Sequence, residues 1–138
     1  MKSKDILLVD DDIVYLHLLS MLLKSEGFNV STASCGINAL ETLKHSKFKM
    51  MITDFNMPEI NGVELATKVN EQRTDMRIVL ATGADLPKIA GAAANAGISE
   101  LFSKPIEVQR FLAVIRSSLQ AGQNRVLGER PLAEAKRR

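Results

Sequence analysis

Tryptophan is absent from this 138-residue sequence, which also has only one tyrosine and one cysteine. Because Cys35 has no second cysteine to pair with, a disulfide framework of the secreted type is excluded, and a reducing cytoplasm is the expected location. Long apolar runs are lacking too, since none approaches the ~20 residues that span a bilayer. The four apolar residues that follow Lys2–Asp5 are too few for the core of a signal peptide.

A strong excess of one charge is also missing, because the net charge is only +2. From Gln123 onward there are five basic and two acidic residues, which leaves 13 basic and 14 acidic residues in the remainder. The basic character therefore belongs to the end of the chain. The near-neutral charge of the remainder and the small number of aromatic residues argue against dedicated nucleic-acid binding. The 46% hydrophobic content suffices for one core. We expect one domain over residues 4–120 and a polar, basic, flexible tail over residues 121–138.

The sequence does contain a regular alternation of short apolar runs and helical patterns. Each run is followed by a segment whose apolar residues recur every three or four positions, as Leu16, Leu19 and Leu23 do. Five such pairs in about 120 residues predict an α/β fold, a doubly wound parallel sheet with right-handed crossovers. The predicted strands are centred on Ile6–Val9, Phe28–Thr32, Met50–Ile52, Ile78–Ala81 and Leu101–Phe102.

The composition of these runs predicts their order in the sheet. Runs one, three and four are apolar throughout, which is typical of central strands covered on both faces. The second run alternates apolar and polar residues and the fifth is short, so both are expected at the edges. These features predict the flavodoxin-like order 2-1-3-4-5, with a switch point between strands one and three.

Several residues are expected to shape the helix ends. Gly27 is predicted to stop the first helix, and Asp85 to cap the fourth, with Pro87 in its first turn. Gly91 lies inside that fourth helix, where glycine costs ~1 kcal/mol relative to alanine. The fourth helix is therefore expected to be labile, and Gly91→Ala to raise its stability.

Polar residues follow four of the five predicted strands, at the edge where ligands bind in such sheets. Asp10 and Asp11 follow the first strand, Asp54 the third, Thr82 the fourth and Lys104 the fifth. Three crowded carboxylates would repel one another unless a cation entered, and oxygen ligands favour a hard divalent ion such as Mg²⁺. The pattern predicts a magnesium pocket that faces a phosphate, with Lys104 as the second positive charge.

Each of these residues alone has an ordinary explanation. An Asp cluster after a strand is often a solvated loop or helix cap, and Asp54 before a proline-containing loop is usually a turn residue. Thr82 suits a strand end as a β-former, and Lys104 before Pro105 is ordinarily a solvated stop. His17 and His45 lie away from the strand ends, so surface or packing roles are expected for both. The joint placement at one edge of one sheet is what indicates a site.

Over residues 4–120 the sequence resembles the receiver domain of two-component response regulators. The matching segments occur in the family's order and at its spacings, and together they are specific to it. They are Ile6–Asp12 (ILLVDDD), Met51–Gly62 (MITDFNMPEING), Val79–Gly83 (VLATG) and Ser103–Pro105 (SKP).

The resemblance implies a role for each matching residue. Asp54 would accept a phosphoryl group from a phosphohistidine on a histidine kinase or a histidine phosphotransfer protein, and Asp12 would be a bystander at the helix start. Thr82 and Lys104 would contact the phosphoryl oxygens. The ligands of Mg²⁺ would be Asp10, Asp11, the Asp54 carboxylate and the backbone carbonyl of Asn56.

The resemblance also implies a regulator and not an enzyme, beyond its own phosphorylation and dephosphorylation. Movement of Thr82 toward the phosphoryl group would shift the loop after the fourth strand and then the fourth helix. The surface of the fourth helix, fifth strand and fifth helix would contact a downstream protein target. No direct nucleic-acid or membrane partner is expected, and a phosphorylation-dependent dimer is left open.

One position departs from the family pattern. Receivers usually carry Tyr or Phe three residues before the lysine, and this chain has Leu101 there. Phe102 is one place later, where strand alternation directs it to the other face. Coupling through an aromatic rotamer is therefore in doubt. Gly83 leaves access to the phosphate open, and Asn56 and Ala84 flank its approach.

Two other interpretations compete with this one. Asp10 and Asp12 match the first motif of a haloacid dehalogenase-type phosphatase, as nucleophile and general acid. That interpretation lacks the acidic pair expected after a later strand, provides no cap over the substrate and leaves Asp54 without a role, so we reject it. The second alternative is a degenerate receiver that serves only as an interaction module, which Leu101 keeps open.

Overall fold

A computed structural model describes residues 4–72 and 75–124 of the chain, with side chains described as far as residue 120. Five strands alternate with five helices along the described ranges. The strands are β1 (Lys4–Val9), β2 (Val30–Ala33), β3 (Phe48–Thr53), β4 (Arg77–Thr82) and β5 (Glu100–Ser103). The helices are α1 (Ile13–Ser25), α2 (Gly36–His45), α3 (Gly62–Gln72), α4 (Leu86–Asn95) and α5 (Val108–Asn124).

The five strands form one parallel sheet in the order β2-β1-β3-β4-β5, which confirms the predicted topology. The four C-terminal residues of β1 and β3, and five of the six in β4, are buried, as expected for central strands. β2 has exposed and half-buried residues between its buried ends and lies at an edge. Val9 of β1 is level with Thr53 of β3, so the residues that follow these strands emerge side by side.

The helix ends agree largely with the sequence. Asp12 caps α1, where its carboxylate accepts a hydrogen bond from Tyr15 N at 3.1 Å, and Gly27 follows the helix with a φ of 97°. Asp85 occupies the N-cap position of α4, but its side chain makes no capping hydrogen bond there. The first turn of α4 is therefore held by Pro87 and the backbone, without the side-chain bond that an N-cap Asp usually supplies.

The chain divides into two compact units, one ending at Glu107 and the other beginning at Val108. The first contains the sheet and α1 to α4. The second contains α5, on which Phe111, Leu112, Ile115 and Leu119 are buried. α5 continues to Asn124, and the rest of the predicted tail, residues 125–138, lies outside the described residues.

None of the helices in the described ranges combines the length and the apolar character that a membrane crossing requires.

Candidate functional site

Three carboxylates meet at the C-terminal edge of the two central strands. Asp10 and Asp11 follow β1 and Asp54 follows β3, and each offers an oxygen that lies within 4.8 Å of the others. The pairing of β1 with β3 brings them together, because Asp54 N donates to the carbonyl of Val9, the residue before Asp10, at 3.1 Å. The cluster expected from the strand ends is therefore present.

Both carboxylate oxygens of Asp10 have partners inside the protein. Oδ1 accepts from the backbone N–H of Asp12 at 2.9 Å, and Oδ2 accepts from the Lys104 ammonium at 2.7 Å. Burial raises the pKa of Asp10 above its usual value, and the hydrogen bonds from Lys104 and Asp12 offset only part of that effect. Asp10 is thus a buried carboxylate whose charge is incompletely compensated.

Lys104 is the cation of this pocket. Its backbone N–H donates to the carbonyl of Thr82 at 2.9 Å, which ties the loop after β5 to the end of β4. From there the ammonium reaches Asp10 at 2.7 Å and Asp54 at 3.8 Å. The sequence placed Lys104 opposite the carboxylates, and the structure adds that its nearer partner is Asp10.

Asp54 presents one oxygen to the backbone and the other to the pocket. Oδ1 accepts from Phe55 N at 2.8 Å, while Oδ2 faces Lys104 and the side chain keeps 12% of its surface exposed. The first residue of α3 packs directly on this loop, since a Cβ on Gly62 would collide with the carbonyl oxygen of Asp54. A glycine at that position therefore lets α3 approach the backbone of Asp54.

Thr82 and Asn56 lie at or just beyond the C-terminal ends of β4 and β3, the edge of the sheet that carries the acidic cluster. Thr82 ends β4, is buried, and its hydroxyl accepts from Ala84 N at 3.2 Å. Asn56 is exposed, two residues beyond Asp54 in the loop after β3. The two histidines lie elsewhere: His17 is exposed on α1, and His45 is 3.2 Å from Glu41 on α2.

Tyr15 is a part of this site that the sequence did not reveal. The Lys104 ammonium lies 4.0 Å from the centroid of its ring. Its hydroxyl is buried and has no hydrogen-bond partner within the described part of the chain. Burial, with the nearby charges of Asp10, Asp54 and Asp12, raises the pKa of Tyr15 to about 12. A lone aromatic residue in the first turn of a helix gives no signal of this contact, which joins positions far apart in the sequence.

Leu101 occupies the position at which the receiver pattern has Tyr or Phe. It is half-buried on β5 and packs against the core, and Phe102 beside it is buried. Alternation along the strand directs the two side chains to opposite faces.

Comparison with known proteins decides the family. Residues 6–116 match the response regulator receiver domain. The chain belongs to this family. The interpretation as a haloacid dehalogenase-type phosphatase is therefore wrong, and Asp54, which it left unused, lies within the acidic cluster.

Curated relatives of this receiver domain are longer proteins. It is 34% identical over 116 residues to the transcriptional regulatory protein CpxR homolog of Haemophilus influenzae, covering 83% of this chain and 50% of that one. It is 31% identical over 119 residues to the transcriptional regulatory protein GlrR of Escherichia coli, covering 86% and 27%. The chain thus spans about half and about a quarter of their lengths.

Solved structures share the fold closely. A CheY-like receiver domain protein from Methanospirillum hungatei superposes with a TM-score of 0.84 at 27% identity, covering 88% of this chain and 98% of that one. A response regulator protein from Burkholderia pseudomallei, with a phosphorylated aspartic acid, calcium ion and citrate, gives 0.76 at 26% identity, covering 88% and 71%.

The donor set of the receiver pocket suits a divalent cation. Its carboxylates are hard oxygen ligands, and they are close enough for one ion to contact more than one of them. The lysine supplies a single positive charge against three carboxylates, so part of their mutual repulsion remains. The geometry is that of a regulatory phosphoacceptor pocket.

Proposed function

We propose that Asp54 accepts a phosphoryl group from the phosphohistidine of a histidine kinase or histidine phosphotransfer protein. The observation that carries the proposal is the set of three carboxylates within 4.8 Å, with the Lys104 ammonium 3.8 Å from the open oxygen of Asp54. The phosphorylated aspartic acid in the Burkholderia pseudomallei protein supports it by similarity.

In this proposal Asp10, Asp11 and Asp54 hold Mg²⁺ with the backbone carbonyl of Asn56. The raised pKa of Asp10 supports a cation site, because its carboxylate lacks full compensation without one. When bound, Mg²⁺ neutralises charge on the phosphoryl oxygens. We assign Mg²⁺ in preference to Ca²⁺, because Mg²⁺ is commonly held by a few carboxylates together with the oxygens of a phosphate.

The transfer step exchanges one bond to phosphorus for another. An oxygen of Asp54 forms a bond to phosphorus as the bond to the donor's imidazole nitrogen breaks, and the imidazole keeps that electron pair. The phosphoryl group brings more negative charge than the carboxylate had. Lys104 is then drawn from Asp10 toward the phosphoryl oxygens, and the Thr82 hydroxyl donates to one of them.

Output in this proposal passes from Thr82 to α4. The Thr82 hydroxyl contacts Ala84 N, so its movement displaces the short loop that leads into α4. Ala93 is the one buried residue within α4, which leaves that helix weakly held to the sheet. We assign the downstream protein contact to α4 and β5, together with α5 as expected from the sequence.

The phosphodonor contact is assigned to α1. Val14, Leu18 and Met21 share one face of that helix, and each is more than half exposed. α1 begins directly after the acidic residues, so a protein that docks on this face brings its histidine near Asp54. Exposed apolar residues grouped beside a polar site are typical of an interaction surface.

Incubation with acetyl phosphate and Mg²⁺, followed by intact-mass measurement, tests the acceptor. We expect a phosphoryl mass gain in the wild type and none in Asp54→Asn. Asp12→Asn is the matched control, because the Asp12 side chain caps α1 and asparagine caps equally well, so this variant should label normally. A gain retained in Asp54→Asn would move the acceptor elsewhere, and no gain in the wild type would favour the degenerate receiver.

A second variant pair tests the donor surface. Leu18→Lys should slow phosphoryl transfer from a phosphohistidine protein that labels the wild type, and leave acetyl phosphate labelling unchanged. Ile37→Lys is the matched control, because Ile37 is a similarly exposed apolar residue on α2. Equal slowing by both variants would contradict the assignment to α1.

A further inference from the structure

Lys104 has a third partner besides its two carboxylates. Its ammonium lies 4.0 Å from the centroid of the Tyr15 ring and 2.7 Å from Asp10 Oδ2. The lysine side chain keeps only 20% of its surface exposed. Because this cation has little water around it, the groups that contact it largely determine where it rests.

The face of an aromatic ring attracts a cation within about 6 Å of its centroid, and the attraction grows as the cation loses water. Tyr15 offers this face from the first turn of α1, where Asp12 fixes the helix start through its bond to Tyr15 N. The hydroxyl of Tyr15 makes no hydrogen bond to any of the described residues, so its ring is the part that contacts Lys104.

We propose that Tyr15 is a positioning residue for Lys104. The ring of Tyr15 holds the Lys104 ammonium against Asp10, and the ammonium then competes more strongly with a divalent cation for that carboxylate. The inference rests on the proposed function for the presence of that cation. The acceptor role proposed for Asp54 does not itself require an aromatic residue at position 15.

The competition follows from the contacts of Asp10. Its Oδ1 is taken by Asp12 N and its Oδ2 by Lys104, so an entering cation must displace or share one of these donors. The ring stabilises the lysine where it blocks Oδ2. Loss of the ring should therefore weaken the lysine's hold and tighten cation binding by about twofold to thirtyfold, the range of a cation–π contact from an exposed to a desolvated site.

Isothermal titration with MgCl₂, which requires no phosphoryl transfer, tests the proposal on the wild type, Tyr15→Leu and Tyr15→Phe. Tyr15→Leu should bind Mg²⁺ more tightly by that factor. Tyr15→Phe, which keeps the ring, should match the wild type. An unchanged or weaker affinity in Tyr15→Leu would overturn the proposal, and so would a Tyr15→Phe variant that behaves like Tyr15→Leu.

Titration of Mg²⁺ into Lys104→Met, with and without Tyr15→Leu, isolates the contact between the ring and the ammonium. With the ammonium removed, Tyr15→Leu should no longer change the affinity for Mg²⁺. An effect of the same size in that background would show that the ring acts through packing, and would refute a role in positioning the lysine.

Proton NMR of the wild type provides a test that depends on no folded Tyr15 variant. The ring should shift the ε-methylene signal of Lys104 upfield of the other lysines, and the signal is assigned by its loss in Lys104→Met. An ordinary lysine shift would overturn the contact. This readout is independent of Asp54 labelling, so it stays informative if the proposed function fails.

Discussion

At the scale of single residues, Asp10 is the carboxylate of the pocket whose negative charge is least favourable in the folded state. Its side chain is buried next to Asp54, and the folded chain supplies one backbone N–H and one ammonium in return. Burial outweighs these partners, so the pKa of Asp10 is raised. Ionisation of Asp10 therefore lowers the stability of the fold, although Asp10 is the closest carboxylate to the Lys104 ammonium.

The raised pKa of Asp10 predicts that the stability of the folded chain depends on pH. Because the folded state holds the Asp10 proton more tightly than the unfolded state does, ionisation destabilises the fold. The wild type should lose stability relative to Asp10→Asn as the pH rises from 3.8 through the raised pKa, with the full deficit present at neutral pH. Melting temperatures of both proteins across that range, without divalent cations, check this. A difference that does not change with pH would contradict it.

At the scale of secondary-structure elements, the start of α3 is packed more tightly than the start of α4. α3 begins with Gly62 pressed on the backbone of Asp54, so its position is coupled to the acceptor loop. α4 lacks the side-chain cap of Asp85 and contains Gly91, whose surroundings are open. The acceptor side is therefore tightly packed, while the helix after Thr82 can shift at little cost.

A pair of glycine substitutions tests this contrast. Gly91→Ala should raise the free energy of unfolding by about 1 kcal/mol, because its Cβ meets nothing within 4 Å and alanine favours the helix. Gly62→Ala should lower it, because the new Cβ would collide with Asp54 and press on Leu80. Urea denaturation measures both. Equal effects of the two substitutions would argue against a difference in packing.

At the scale of the whole molecule, much of the architecture could be predicted because parallel strands share one C-terminal edge. The apolar or alternating pattern of each run predicted its place in the sheet. The positions of Asp10, Asp11 and Asp54 after their strands predicted that the three form one cluster. The contact of Tyr15 with Lys104 could not be predicted, because no periodicity relates a helix residue to a lysine beyond the fifth strand. The preference of Lys104 for Asp10 over Asp54 likewise depends on side-chain conformation.

A cation that binds only the folded chain should stabilise the whole molecule. At a Mg²⁺ concentration 100 times the dissociation constant, the gain is about 2.7 kcal/mol for one site. We expect the melting temperature of the wild type to rise with MgCl₂ and that of Asp11→Asn to rise much less. Asp11 is exposed, so its substitution should leave the fold intact. NaCl at equal ionic strength is the control, and an equal rise with NaCl would show general screening only.

The contact between the lysine and the ring has an optical consequence. Tyr15 is the one tyrosine of the chain, and tryptophan is absent. The tyrosine emission of the protein therefore comes from a single fluorophore that touches Lys104. Quenching or brightening of that emission reports what happens in the pocket, so occupancy can be followed in the unlabelled protein by ultraviolet light alone.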